Sequence, residues 1–292
     1  MKIPLLLDSW VLNTYSSPAA KARLSDFIAD QGFLPVINAL TLVEIFNPGW
    51  QNAQSAERGD LAAGLLADLG AAIVDPMTVV RSEFFQYPSP LVSLPLQLNL
   101  TEIAAPLRKE VLLRFLRADP LYLQQGKDIR RWAEGYAEVK HNWANDRLAI
   151  LARAVRENQI VVDGEGYRFA SPESRIEFLQ SLDQRLFGWL SAEERSSLGL
   201  HIVPLFLGET AKLPAVRMSS LLFAHCYVDV PRSDRTRQLP SDLGDHWHLM
   251  VAPYCGAVTA DRSMKRILER LRSESSLRCV VYDPAALKEK LG

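Results

Sequence analysis

The stretch Ile3-Pro4-Leu5-Leu6-Leu7-Asp8-Ser9 decides how this chain is read. Five apolar residues in succession, stopped by an acid, are too few and too continuous for the apolar stripe of a helix. They read as a strand buried on both faces, as the strands of a parallel sheet are. Asp8 then stands at the carboxyl end of that strand, where open α/β sheets hold their ligands. The same acid argues against a secretory leader, because it interrupts the apolar run early and no small-residue cleavage site follows.

Working outward, further short apolar runs alternate with helical spacing. Phe33–Ile37 and Ala71–Val74 read as strands, with helices expected from about residue 10 to Asp30, over Thr41–Phe46 and over Gln54–Leu69. The alternation returns late in the chain. His201–Phe206, Ala257–Thr259 and Cys279–Tyr282 read as strands, and Ala215–Tyr227, Asp242–Tyr254 and Arg262–Arg272 as helices. Between these parts the pattern changes. Tyr87–Pro95 is a proline-punctuated loop, followed by helical spacing over Thr101–Leu116, Asp128–Asn158 and Pro172–Leu190. Ser171 stands as cap and Pro172 as first helical residue of the last of these. Gln159–Phe169 reads as a hairpin around Gly164-Glu165-Gly166. The expected fold is therefore α/β: a central parallel sheet flanked by helices, built from residues 1–76 and 214–292, with a mainly helical insertion over 77–213.

Composition narrows the classes. The 292 residues are 48% hydrophobic and 23% charged, which fits an ordinary globular chain and excludes disorder or a disulfide-stapled scaffold. No run approaches the roughly 18 apolar residues that span a bilayer. Cys226, Cys255 and Cys279 are an odd set at spacings that match no metal motif, so reduced, buried thiols in a cytoplasmic protein are expected. The net charge of −1 excludes a strongly basic nucleic-acid clamp, yet it is unevenly placed. Residues 1–75 carry −4 and the remainder +3.

Acidic residues occupy the positions that matter in such a sheet. Asp8 ends the first strand, and Asp261 follows the run Gly256-Ala257-Val258-Thr259-Ala260 directly. Glu44 lies in a helix that begins just after the second strand, in the otherwise apolar stretch 39–46, an expensive place for a charge without a partner. Asp242 and Asp245 lie one helical turn apart in Asp242-Leu243-Gly244-Asp245-His246-Trp247-His248. Carboxylates that converge raise one another's pKa, and a hard divalent cation such as Mg²⁺ or Mn²⁺ removes the conflict. Such a cluster activates water and stabilises a phosphodiester under attack. Each acid also has a plain structural reading. Asp8, Asp242 and Asp261 stand where helix N-caps stand, and Glu44 could pair with an arginine.

The set Leu5-Leu6-Leu7-Asp8-Ser9, then Leu42-Val43-Glu44-Ile45, then Asp245 with Val258-Thr259-Ala260-Asp261 resembles the PIN-domain nucleases. The segment from Asp242 through His248-Leu249 and Ala252-Pro253-Tyr254 to Asp261-Arg262 is similar to a form found in bacterial PIN-like proteins. The resemblance covers about residues 1–75 and 215–290 and none of the insertion. It implies a PIN-like sheet and a metal site of Asp8, Glu44, Asp245 and Asp261, with Asp242 as a fifth carboxylate. Ser9 and Thr259 match supporting hydroxyl positions. It also implies hydrolysis by a metal-bound water leaving a 5′-phosphate and a 3′-hydroxyl, RNA rather than DNA as substrate, and a homodimer as an assembly open to the family.

Other residues fit around this expectation. Zinc needs more N or S ligands than His246 and His248 offer. His248 reads as a residue packed against the site, and His201 and His225 as structural. Arg232, Arg235 and Arg237, just before the acidic helix, and Arg262, Lys265 and Arg266, just after Asp261, are the cations placed to meet a phosphate backbone. Arg108, Lys109, Arg114 and Arg117, like Lys127, Arg130 and Arg131, read as solvated helix faces. Trp132, Tyr136 and Trp143 read as core. The rival expectation is a non-catalytic PIN-like protein that binds a partner protein or nucleic acid through its insertion.

Overall fold

The computed structural model describes residues 2–49, 53–87, 89–116, 142–143, 145–164, 166–188, 190–198, 213–229, 242–275 and 277–292. The expected strand at His201–Phe206, the residues up to 141 of the expected helix Asp128–Asn158, and the loop with Arg232, Arg235 and Arg237 fall outside the described residues, as do Arg117, Lys127, Arg130, Arg131, Trp132 and Tyr136.

Ile3–Leu7 forms β1, and Leu5, Leu6 and Leu7 are all fully buried. Successive side chains on a strand point to opposite faces. Leu5 and Leu7 accordingly enter one hydrophobic cluster, with Ile37, Ile73 and Ala257, while Leu6 enters another, with Val36, Ala72 and Val258. Both faces of β1 are covered from Leu5 to Leu7, which is why these three successive positions are apolar, while Ile3 at the start of the strand is exposed. β2 (Phe33–Asn38), β3 (Ala72–Val74), β7 (Ala257–Thr259) and β8 (Val280–Tyr282) extend the same sheet in parallel, and β4 (Leu96–Asn99) closes one edge antiparallel to β3. The order is β4-β3-β2-β1-β7-β8, so the sheet is mixed, with six strands, most of them parallel. β5 (Ile160–Asp163) and β6 (Gly166–Phe169) form the separate antiparallel hairpin expected around Gly164.

Helices cover both faces. α1 (Ser9–Thr14), α2 (Pro18–Asp30), α3 (Ala39–Gly49), α4 (Ala53–Leu69), α6 (Arg108–Leu116) and α13 (Pro284–Leu291) bury their apolar sides in the Leu5/Leu7 cluster. α5 (Pro76–Gln86), α7 (residues 145–156), α8 (Pro172–Phe187), α10 (Pro214–Ala224) and α12 (Arg262–Ser275) bury theirs in the Leu6 cluster. Leu151, Phe178 and Leu182, between the two terminal parts of the chain, therefore share a core with Val258 of the sheet. α9 (Ala192–Ser197) is a short surface helix closed by a Ser191/Glu194 capping box. α11 (Asp242–Met250) contributes Leu249 and Met250 to one cluster and Trp247 to the other, so it straddles the end of the sheet.

Prolines explain where helices fall short of their expected spans. The stretch expected as one helix over Thr101–Leu116 begins as two 3₁₀ turns, Leu100–Glu102 and Ala105–Leu107, with Pro106 inside the second. The helix expected to reach Tyr254 ends at Met250 and passes into a 3₁₀ turn, Ala252–Tyr254, because Pro253 cannot donate to a continuing helix. Among the described residues, no helix is long and apolar enough to cross a membrane.

The strand order positions the site. From β1 the chain runs outward through β2 and β3 on one side, then returns to β7 and β8 on the other. Connections diverge between β1 and β7, and in open α/β sheets that switch point opens a crevice beyond the carboxyl ends of the strands.

Candidate active site

Asp8 leaves β1 at this switch point and caps α1. Its Oδ1 accepts from the backbone N–H of Ser9 at 2.6 Å and from Ser9 Oγ at 3.2 Å. The structural reading of Asp8 as a cap therefore holds, and it leaves Oδ2 with no hydrogen bond from a described residue. The backbone at Asp8 is held by the neighbouring strand. Thr259 Oγ1 accepts from the Asp8 N–H at 2.8 Å and donates to the Leu6 carbonyl at 3.2 Å, stitching the end of β7 to the end of β1. Thr259 is fully buried, and a hydroxyl that both accepts and donates meets the needs of two backbone groups at once.

Asp261 follows β7 by two residues and is exposed. It caps α12, its Oδ1 accepting from the Met264 N–H at 2.7 Å, and its Oδ2 takes no hydrogen bond from a described residue. Its negative charge acts on Asp8. The Asp8 carboxyl, 9% exposed, is pushed above the ordinary carboxylate range first by burial and also by Asp261, while His248 and the two Ser9 hydrogen bonds pull in the opposite sense. His248, 2% exposed, has its Nε2 3.1 Å from the Thr259 carbonyl. That nitrogen must donate, so the ring presents Nδ1 on its other side, buried and without a hydrogen-bond partner among the described residues.

Thus Asp8, Ser9, His248, Thr259 and Asp261 come together at the ends of β1 and β7. Glu44 belongs to α3, half-buried, and lies against α11. A Cβ added at Gly244 would fall within 3.1 Å of the Glu44 Cδ and closer still to its Oε1, so a side chain there would push this carboxylate out of its present place against the first turns of α11. Asp245 is exposed on α11, and the side chain of Asp242 lies outside the described residues. Among the described residues, no group of three or more His, Cys, Asp and Glu side chains is placed to share a metal ion.

His246 has a different role. Buried against Trp143, with ring centroids 5.1 Å apart, it meets Ser219 Oγ at 2.8 Å, and burial pushes its pKa down to about 4. It is a neutral core histidine, and Trp143 packs as core beside it. Arg108 and Arg114 are engaged within their own segment, with the Ile103 carbonyl and Glu110, and Lys109 pairs with Asp60 of α4. Lys265 is tied to Asp283 at 3.0 Å, whereas Arg262 and Arg266 are exposed.

Two buried acids escape the sequence reading. Glu83, 1% exposed, accepts from the N–H groups of Ala215 (2.6 Å) and Val216 (3.0 Å) at the start of α10 and from the Tyr254 hydroxyl. Burial, the largest cause, and Asp183 push it up to about 7. Asp183, fully buried, accepts from Ser220 Oγ on α10, and burial raises it to about 7. The readable signal was periodicity: Glu83 falls on the same helical stripe as Val79, Val80 and Phe84, and Asp183 on that of Leu179, Leu182 and Leu186. The chain matches no family model, no curated protein and no solved structure.

Proposed function

We propose that this chain is a PIN-like, metal-dependent nuclease that hydrolyses phosphodiester bonds, with RNA as substrate. The observation that carries the reading is the placement of the buried Asp8 and of Asp261 just beyond the carboxyl ends of the adjacent parallel strands β1 and β7, at the switch point of the sheet. Each carboxylate keeps one oxygen free of described donors, and their charges oppose each other. Two such oxygens fit a hard divalent cation, Mg²⁺ or Mn²⁺, better than they fit each other. Asp8 and Asp261 would hold it, with Glu44, Asp242 and Asp245 of the α3/α11 side as further oxygen donors. When bound, the ion supplies a water of lowered pKa and a positive charge for the phosphodiester oxygens. Ser9 orients the Asp8 carboxylate, Thr259 fixes the backbone beneath it, and His248 adds a polar wall and excludes bulk water. Asp8→Asn should lower RNA cleavage by at least about 100-fold while the fold persists, because Asn caps a helix as well as Asp. Cleavage at the wild-type rate by a folded Asp8→Asn protein overturns the assignment.

One observation favours a second reading, a non-catalytic PIN-like binding protein: the described residues hold no cluster of three metal-ligating side chains. That protein would bind partners without consuming them, and it would show no divalent-metal heat in a calorimetric titration.

A further inference from the structure

We propose that the row Arg262, Arg266 and Arg270 on α12 is the track along which the phosphate backbone of a single-stranded RNA runs away from the acidic site, an inference that rests on the nuclease reading. Met264, Leu268 and Leu271 seat the helix in the core. The three arginines are exposed on its outer side at spacings of four residues, with Glu269 and Ser273 beside them. At a rise of 1.5 Å per residue the row is about 12 Å long. It begins at the residue after Asp261 and ends near the cluster in which Arg175 bridges Asp229 and Glu274.

The head of the row, Arg262, runs against the needs of the helix itself. The first turn of α12 holds no acid, and Arg262 and Lys265 lie there with Arg266 just beyond. Cations at a helix N-terminus oppose its macrodipole, at about 0.3–1 kcal/mol each. Lys265 recovers an ion pair with Asp283, on which Arg262 also acts from farther off, whereas Arg266 and Arg270 make no salt bridge with a described carboxylate. Asp261 at the cap and Asp283 beside Lys265 offset part of this cost, and Arg262, Arg266 and Arg270 stay exposed to solvent next to the acidic site. The chemistry of the neighbouring site supplies the reason. Asp8 and Asp261 repel a polyanion, so a strand that reaches them needs positive charge next to them, and the arginine fork binds phosphate oxygens in two places at once.

The test measures binding apart from cleavage. A fluorescein-labelled single-stranded RNA is titrated in EDTA across a potassium chloride series, for the wild type, the triple variant Arg262→Gln/Arg266→Gln/Arg270→Gln, Asp8→Asn, and Arg114→Gln as a charge control on α6. Each phosphate contact on a single strand contributes about 0.7 to the slope of log K against log salt. The triple variant should lose about 2 from that slope and raise KM for cleavage more than it lowers kcat, with the control unchanged. Wild-type binding with an unaltered slope in the triple variant overturns the track and leaves the nuclease reading standing, as does a slope lost equally in the control. A wild type that binds no RNA overturns the track as well. A slope lost in the triple variant, in a protein that cleaves nothing with Mg²⁺ or Mn²⁺, upholds the track as a binding surface and ends the nuclease reading.

Discussion

Asp8 and Glu83 are both buried acids beside a helix N-terminus, both pushed upward by burial, and they are satisfied in opposite ways. Glu83 receives three donors from two distant segments, two backbone N–H groups of α10 and the Tyr254 hydroxyl, and these fill both its oxygens. Asp8 receives its two donors from the adjacent Ser9, and both go to one oxygen. The first arrangement is complete and locks α5, α10 and the turn at Tyr254 together. The second is incomplete and faces another carboxylate at the open end of the sheet. An open oxygen alone does not set Asp8 apart, since the fully buried Asp183 also has Oδ2 without a hydrogen-bond partner among the described residues; what sets Asp8 apart is its place at the carboxyl end of β1, at the switch point of the sheet.

The largest effect on stability should come from breaking the saturated acid. Glu83→Ala strands two buried N–H groups and a tyrosine hydroxyl and leaves a cavity, and should cost about 3 kcal/mol or more in denaturant unfolding. The pH dependence of the wild type sharpens the point. Glu83 and Asp183, held near 7 when folded, keep protons that the unfolded chain releases from about pH 4 upward. Stability should therefore fall as pH rises from about 4 to 7.5, by up to about 3 kcal/mol for Glu83 and about 4 kcal/mol for Asp183, and flatten above that. Glu83→Gln should reduce this slope, even though its amide leaves one α10 donor unpaired. A stability that rises over the same range contradicts the description of this clasp.

A smaller effect should follow at the other acid. Thr259→Val removes the hydroxyl that accepts from Asp8 and donates to Leu6, at a cost of about 1–2 kcal/mol. Because the Asp8 backbone then loses its anchor, RNA cleavage should fall on the order of tenfold, as when an outer-shell support is lost, with Thr259→Ser restoring both. Activity untouched by Thr259→Val would separate the strand stitch from the site.

The same contrast explains what was legible in the sequence. β1, β2, β3 and β7 read as short apolar runs because both faces of the central sheet are covered, and Asp8 and Asp261 announce themselves by following two of those runs. β4 is Leu-Gln-Leu-Asn at the edge of the sheet, half-exposed and too short to stand out from the loop before it. For Glu83 the helical stripe signals burial but not pairing. Its partners on α10 lie 132 and 133 residues away, so nothing near it in the chain marks it as paired. The approach of Glu44 to Gly244 is of the same kind, a packing fact between α3 and α11 with no local trace beyond the glycine itself.

The central claim is that the unsaturated pair Asp8 and Asp261 holds a divalent cation, and calorimetric titration with Mn²⁺ tests it without reference to any substrate. The account expects binding to the wild type, weakened at least about tenfold in Asp8→Asn and in Asp261→Asn with the fold retained. No heat at millimolar Mn²⁺, or binding that both variants leave unchanged, would contradict it.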